Sequence, residues 1–256
     1  MNYRHITLEP EGDFAVLTMR RPRQRNALSE DHLREILHAL RAIGEGKARG
    51  AILAAEGPVF SAGHDFADME GRDLEGMRRL LAVCADMMKT IQSIPQPVIA
   101  QVQGLATAAG CQLVAACDLA VAGESAAFQV PGGIGGWFCT TPGVALARAV
   151  GRKRAIEMLF TGEPIHARTA AEWGLVNRVV PDEKVPEETR DLLRRATRGS
   201  PLSKGIGKQA LYRQVDLDTN AAYDYASEVM ASSSQTRDAR ETMRAFREKR
   251  LPKFTR

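Results

Sequence analysis

The chain has 256 residues, with 35 Lys and Arg against 31 Asp and Glu, a formal net charge of +4 and a pI near 9.0. That length buries one sizeable core with at most a small appended region. Cations interspersed with acids argue against a nucleic-acid surface and suit a phosphorylated small molecule. No apolar run is long enough to span a bilayer, and the opening MNYRHITLEPEG lacks the apolar core of a signal peptide. Cys84, Cys111, Cys117 and Cys139 show no metal-ligand pairing and lie among apolar or small residues. They read as reduced thiols, and the chain as a cytoplasmic protein.

Arg4–Leu8 and Asp13–Met19 alternate about the turn Glu9-Pro10-Glu11-Gly12 and predict an opening hairpin. A basic loop, Arg20–Leu28, follows. Ser29 is placed to N-cap a helix with Glu30 and Asp31 in its first turn, an apolar stripe at Leu33, Ile36, Leu37, Leu40 and Ile43, and a stop at Gly44. Gly50–Ala55 predicts a strand, and GPVFSAGHD (57–65) a loop. Met77, Leu80, Leu81, Cys84, Met87, Met88 and Ile91 recur at helical spacing until Ser93-Ile94-Pro95.

Val98–Val102 is a short β-branched run that predicts a buried strand, and it leads into GLATAAGCQLVAACD (104–118). Two glycines and five alanines allow close backbone approach there, with a helix starting near Ala109-Gly110. The unpaired N–H groups of a helix start can hold an anion or a developing oxyanion. The same small residues also serve close helix–sheet packing, the commoner use, and the stretch by itself leaves both open.

Leu119–Ala122 predicts another strand, and Phe128–Gly136 is a glycine-dense loop. Thr141-Pro142 opens a helix that Gly151 closes. Further helices are expected at 152–160 and 167–173, with Leu175–Val180 returning as a strand. From Glu187 onward the pattern is wholly helical, over about 187–198, 201–213, 219–233 and 237–249. The shift to charged, amphipathic composition puts a boundary near Arg198-Gly199-Ser200, dividing a core (1–198) from a helical region (199–256). Repeated strand–loop–helix units with no GxGxxG or P-loop predict stacked ββα turns rather than a doubly wound nucleotide-binding sheet.

Five blocks occur in one order: GPVFSAGHD, GLATAAGCQLVAACDLAVA, TPGVALARAVG, FTGEPIHARTAAEWGLVNRVVP and AFREKRLPKF. Through them the chain resembles the crotonase (enoyl-CoA hydratase/isomerase) superfamily over essentially its whole length. The resemblance implies an α/β fold, a spiral of ββα units followed by a helical trimerisation region, and hence a homotrimer or a hexamer of two trimers. It implies an acyl-CoA or enoyl-CoA thioester as ligand, with coenzyme A as part of the substrate and no separate cofactor or metal.

By motif, the two backbone donors that hold the thioester oxygen in this family fall on His64, after Ala62-Gly63, and on Ala109, before Gly110. Only their main chain is needed, so the resemblance leaves the His64 ring packed outside and makes Asp65 a helix cap. Arg25 and Ala27 match the loop flanking the pantetheine and adenine. His64, Asp65, Phe66 and Ala67 match the segment along that arm, and Pro131 and Gly110 are among the substrate-binding positions that the resemblance implies. Phe246 and Lys249 match a C-terminal helix that reaches the coenzyme, often from a neighbouring subunit.

The departures from the family are specific. Its two hydratase glutamates, which place water and shuttle a proton, fall on Gln112 and Gly132. Glutamine can orient a water but cannot take its proton, and no Asp, Glu, His or Lys lies in Phe128–Thr141. Cys139, the one potentially reactive side chain in that loop, reads as a buried structural thiol. Three readings follow: an enzyme that stabilises a thioester enolate and uses another base, a non-catalytic acyl-CoA-binding protein, and an enzyme whose base is a bound anion such as bicarbonate. The third ranks last, because Cys139 stands where the bicarbonate-using members have an aspartate.

Overall fold

The short apolar runs at Gly50–Ala55, Val98–Val102 and Leu119–Gly123 are parallel neighbours, in register as Ile52↔Ile99 and Ile99↔Leu119. Both faces of these strands are buried, which is why they carry nearly continuous hydrophobic sequence rather than strict alternation. In the computed structural model residues 2–254 are described. The strands are β1 (Ile6–Glu11), β2 (Phe14–Met19), β3 (Gly50–Ala55), β4 (Val59–Ser61), β5 (Val98–Val102), β6 (Leu105–Thr107), β7 (Leu119–Gly123), β8 (Ala127–Gln129), β9 (Ile165–His166) and β10 (Arg178–Val180). The helices are α1 (Glu30–Glu45), α2 (Phe66–Met69), α3 (Leu74–Ser93), α4 (Ala109–Ala116), α5 (Thr140–Val150), α6 (Arg152–Thr161), α7 (Ala167–Trp173), α8 (Val185–Ala196), α9 (Pro201–Gln214), α10 (Thr219–Ser233) and α11 (Arg237–Arg247).

Two sheets result, one ordered β1-β2-β3-β5-β7-β10 and the other β4-β6-β8-β9. Each of three successive turns sends its first strand (β3, β5, β7) to the large sheet and its second (β4, β6, β8) to the small one. A helix or helix pair follows each time. This is the ββα spiral that the resemblance implies. Because side chains alternate along a strand, Leu53 and Ala100 join the main core with Leu33, Ile36, Leu40, Leu80, Met87 and Ile91 of α1 and α3. Ile52, Ile99 and Val121 face the other way, onto Val185 and Leu193 of α8. Among the described residues no helix is long and apolar enough to cross a membrane.

Several sequence expectations need correction. Glu9, Pro10 and Glu11 are not turn residues: β1 runs through them, paired as Pro10↔Ala15 and Glu11↔Phe14, and the turn is Gly12-Asp13. Proline is tolerated because β1 is an edge strand. Gly44 does not stop α1, which continues to Glu45. Its missing side chain lets Ile94 pack against the helix, where a Cβ would lie 2.7 Å from the isoleucine methyl. Strands β4, β6 and β8, expected as loop, have three residues each and are too short to display a period. Leu175 and Val176 precede β10 rather than belong to it, and α5 begins at Thr140, ahead of the expected Thr141-Pro142. Ser29 caps α1 through its hydroxyl, as expected, and Gly174 closes α7 in the left-handed conformation.

Helix α9 is tied to the core by one buried cation. The Lys208 Nζ donates to Asp118 Oδ2 at 2.7 Å and to the carbonyls of Ile91 and Gln96 at 2.7 and 2.8 Å. Asp118 also accepts from the Val98 N–H at 2.6 Å, so the pair links α9 to the ends of α3, α4 and β5. Truncating Lys208 to Ala leaves a buried, unpaired carboxylate, and breaking such a pair costs about 3–5 kcal/mol. Urea unfolding should show that loss for Lys208→Ala and a smaller one for Lys208→Met combined with Asp118→Asn.

Stability also depends on pH, through His32. His32 is fully buried, with Nδ1 3.1 Å from the Ala27 carbonyl and no partner at Nε2. Desolvation is the largest influence and pushes its pKa down from 6.5 to about 4. Between those values the unfolded chain binds a proton that the folded chain does not, so stability falls as pH drops from about 6.5 toward 4. His32→Asn should flatten that part of the stability–pH curve, read from urea midpoints between pH 7.5 and 4.5.

Candidate active site

Parallel strands β4, β6 and β8 end side by side, and the loops leaving their C-terminal ends meet. Two glycines set how closely. A Cβ on Gly110 would collide with the Ser61 carbonyl and come within 2.8 Å of Ser61 Cβ. One on Gly63, whose φ is +83°, would lie 2.8 Å from Ala108 Cβ and 3.1 Å from the Ala109 nitrogen. The β4 and β6 loops are therefore in backbone contact, which brings the residue after Gly63 beside the start of α4. Ala108 pays for this in strain. It sits at φ 51°, ψ −120°, a region that costs a non-glycine residue about 1–3 kcal/mol. Its N–H is held by the Gln129 carbonyl at 2.8 Å, and its carbonyl accepts from Gln112 N–H at 3.0 Å.

The His64 and Ala109 N–H groups have no hydrogen-bond partner among the described residues. On either side of His64, Leu28 N–H donates to the Gly63 carbonyl and Asp65 N–H to the Leu28 carbonyl, so that bridge leaves the His64 donor free. Ala109 is the first residue of α4, where N–H groups lack intrahelical acceptors and the helix dipole favours negative charge.

Both residues line a cavity of about 550 Å³. Ala62, Phe66, Pro131 and Gly132 line it too, so the structure gathers these six sequence-predicted positions. Leu81, Thr107, Ile134, Trp137, Phe138 and Cys139 complete much of the wall. Sequence reading did not single out Leu81, Thr107, Ile134, Trp137 or Phe138 as site residues: Leu81 sits in a helix stripe that looks like ordinary core, and the others lie in or beside motif blocks without a titratable side chain to mark them.

The expected basic loop is anchored beside the site. Asn26 is fully buried at φ 51°. Its Nδ2 donates to the Glu56 and Val59 carbonyls at 2.9 and 2.8 Å, and its own carbonyl accepts the Ser61 hydroxyl at 2.9 Å. The Ala62 N–H donates to the Arg25 carbonyl at 2.9 Å, so Arg25 and Ala27 adjoin the β4 loop without lining the cavity. Asp65 caps α2, accepting the Ala67 N–H at 3.2 Å, and pairs with Arg21 at 3.0 Å. Neither Asp65 nor Ala67 reaches the cavity wall, and Gly110 is covered by Ser61. Phe246 is 84% exposed, Lys249 is also exposed, and both lie apart from the cavity.

Three features bear on chemistry. First, the His64 ring does not pack outside. It is largely buried, its Nε2 has no partner, and desolvation lowers its pKa from 6.5 to about 4, so it is neutral at pH 7. Second, no Asp or Glu lines the cavity. Gln112 is buried in α4 outside the lining, with Oε1 unpartnered. Third, the space beside Gly132 is taken. A Cβ there would collide with the Trp137 carbonyl and lie 2.6 Å from Cys139 Sγ, and the Gly132 carbonyl accepts the Trp137 N–H at 2.9 Å. Positive φ is not the obstacle at this glycine; the returning 137–139 segment is. Burial raises the Cys139 thiol, and it pushes Cys84 and Cys111 up to about 12, so these thiols are inert at neutral pH.

Comparison with known proteins agrees with this geometry. The enoyl-CoA hydratase/isomerase family model matches residues 9–256. A Xenopus laevis relative, enoyl-CoA hydratase domain-containing protein 3, mitochondrial, is 42% identical over 255 residues, covering 97% of this chain and 85% of its own. The crystal structure of a Mycobacterium smegmatis enoyl-CoA hydratase superposes with a TM-score of 0.94 at 43% identity, covering 98% of each chain. That of human enoyl coenzyme A hydratase domain-containing protein 3 gives 0.93 at 40% identity, covering 98% of this chain and all of the other. GPVFSAGHD, AAGCQLVAACD and WFCTTPGVALARAV are the blocks of this sequence that resemble the domain-containing protein 3 subgroup. The mitochondrial relative overturns the cytoplasmic expectation: buried, unpaired cysteines do not specify a compartment. On the family match, the extent of identity and the shared ββα spiral, the chain belongs to the enoyl-CoA hydratase/isomerase family.

Proposed function

We propose that the protein binds an acyl-CoA or enoyl-CoA thioester with its carbonyl oxygen between the His64 and Ala109 N–H groups, and that it hydrates enoyl thioesters slowly or not at all. The observation that carries this reading is the pair of unpartnered donors on a carboxylate-free cavity. Donors of this kind stabilise an enolate oxyanion, each contributing about 2.7–4 kcal/mol where transition-state charge develops. Hydration also needs a group that takes a proton from water. The neutral, weakly basic His64 ring and the high-pKa Cys139 thiol are poorly suited to that, and Gln112 cannot do it. The blocked space at Gly132 favours the reading of a binding protein that has lost the hydratase acids over one in which a glutamate is merely missing. The family resemblance assigns Arg25, Ala27 and Asp65–Ala67 to the coenzyme arm, and Phe246 and Lys249 to coenzyme contact from a neighbouring copy.

Calorimetry should show saturable binding of butyryl-CoA, weakened in Lys249→Ala. Absence of any acyl-CoA binding by the wild type would overturn the reading. Crotonyl-CoA hydration, followed by loss of enoyl absorbance, should lie about 10⁴-fold or more below an ordinary hydratase, since each positioned acid or base contributes about 10²–10⁴-fold. Gln112→Glu alone should not restore it, and Gly132→Glu should disturb the 131–140 loop before it helps.

The helical region 199–256 is assigned to self-association as a trimer or a pair of trimers. Support comes from α10, which has no buried residue in the single chain and exposes Tyr223 and Met230 at 72% and 78%. Light scattering at micromolar concentration should give three or six copies, and a stable monomer would contradict the assignment.

A further inference from the structure

The loop after β8 carries large apolar side chains that the core does not use. Ile134 is 68% exposed, Trp137 49% and Phe138 42%, although all three also line the cavity. Phe160 of α6 is 70% exposed and stacks edge-on against Phe138, with centroids 5.5 Å apart. Ile134 lies over Gly162, just past the end of α6, its Cδ1 2.5 Å from where a Gly162 Cβ would be. The apolar wall therefore leaves the cavity and continues onto the surface of α6. A contiguous exposed apolar patch of this sort marks a binding surface rather than ordinary exposure.

The order of elements gives this surface a direction. Leu28 bridges to His64 beside β4, and β6 and then β8 follow across the small sheet. The basic loop thus lies on one side of the two free N–H donors, and the Ile134–Phe160 surface on the other. A thioester held at the donors with its coenzyme toward the basic loop has its acyl chain directed toward the β8 loop and α6.

We infer that this surface is the binding track for the distal part of a long acyl chain, so that the protein takes long-chain rather than short-chain acyl-CoA thioesters. The inference rests on the acyl-CoA reading above and adds the substrate class. Two further observations agree with it. No side chain on the cavity wall is charged near pH 7, so nothing there would recognise a dicarboxylic acyl group. The wall is also predominantly apolar, with Phe66, Leu81, Ile134, Trp137 and Phe138 as its large side chains, which suits an acyl chain held by area rather than by polar contacts.

The test is calorimetry with free coenzyme A and its acetyl, butyryl, octanoyl and dodecanoyl thioesters, the longest below its micelle concentration. A fully buried methylene is worth about fourfold in affinity, and a half-covered one correspondingly less. Dodecanoyl-CoA should therefore bind at least about 30-fold more tightly than butyryl-CoA. Phe160 is outside the cavity wall, so Phe160→Ser should weaken dodecanoyl-CoA about five- to tenfold while leaving butyryl-CoA within about twofold. Phe160→Leu should retain most of the long-chain affinity. Equal affinities from butyryl to dodecanoyl would overturn the track and leave the acyl-CoA reading standing, whereas no thioester binding at all would overturn both. A change in oligomeric state on Phe160→Ser, with chain-length dependence unaltered, would make the patch a contact between copies and overturn the track.

Discussion

Two loops of this molecule touch backbone to backbone, and the site depends on that contact. Gly63 and Gly110 are the residues at which any side chain would strike the opposing loop, through Ala108 and Ala109 in one case and Ser61 in the other. Parallel pairing of β4 with β6 brings the strands within hydrogen-bonding distance, but only the absent side chains let the chain ends beyond them close up. The strained Ala108 then turns the backbone so that α4 starts with its free N–H groups beside His64. Stabilisation from the Ala108–Gln129 and Ser61–Asn26 hydrogen bonds and from the buried strands on either side offsets the local cost.

Around that contact no cavity-lining side chain carries a charge near neutral pH. The cations and anions of the nearby chain are engaged elsewhere. Arg21 pairs with Asp65, and Arg72 with Glu30 and Asp68. These pairs fix the loop and the α2–α3 junction and keep carboxylates away from the cavity. What remains inside is a neutral imidazole, a hydroxyl at Thr107 without a partner, the hydroxyls of Thr140 and Thr141, the Cys139 thiol, and aromatic and aliphatic wall. Under the proposed reading, such a site holds and polarises a thioester by directed N–H groups and offers little to a reaction that must move protons to and from water.

The helices beyond the spiral are attached by polar contacts more than by a core of their own. Lys208 on α9 satisfies three acceptors beside the N-terminal ends of β5 and β7. Arg49 donates to the carbonyls of Thr197 and Gly199 at 2.6 Å each, holding the α8–α9 connection against the start of β3. Glu241 gathers Arg244, Arg250 and the Lys253 N–H around the end of α11. Buried hydrogen-bonded ion pairs of the Lys208 kind give geometric definition more than net stability, and they leave the outer faces of α10 and α11 uncovered in a single chain.

The sequence by itself determined the periodic elements and the family. Stripes such as Leu33, Ile36 and Leu40 specify a helix because burial needs one face, and β-branched runs such as Val98–Val102 specify strands. Ser29 and Gly174 mark helix ends by local chemistry that does not depend on distant residues. The start of α4 near Ala109 was legible for the same reason, since small residues and an unpaired helix terminus are local facts. Tertiary structure alone decided which segments became three-residue strands, because β4, β6 and β8 exist only through pairing with one another. It also decided that the His64 ring is largely buried and neutral, that Leu81 and Phe138 face a cavity rather than the core, and that Gly132 is closed off by Trp137 and Cys139. Each of these depends on which distant side chain occupies a given volume, and spacing along one chain carries no record of that.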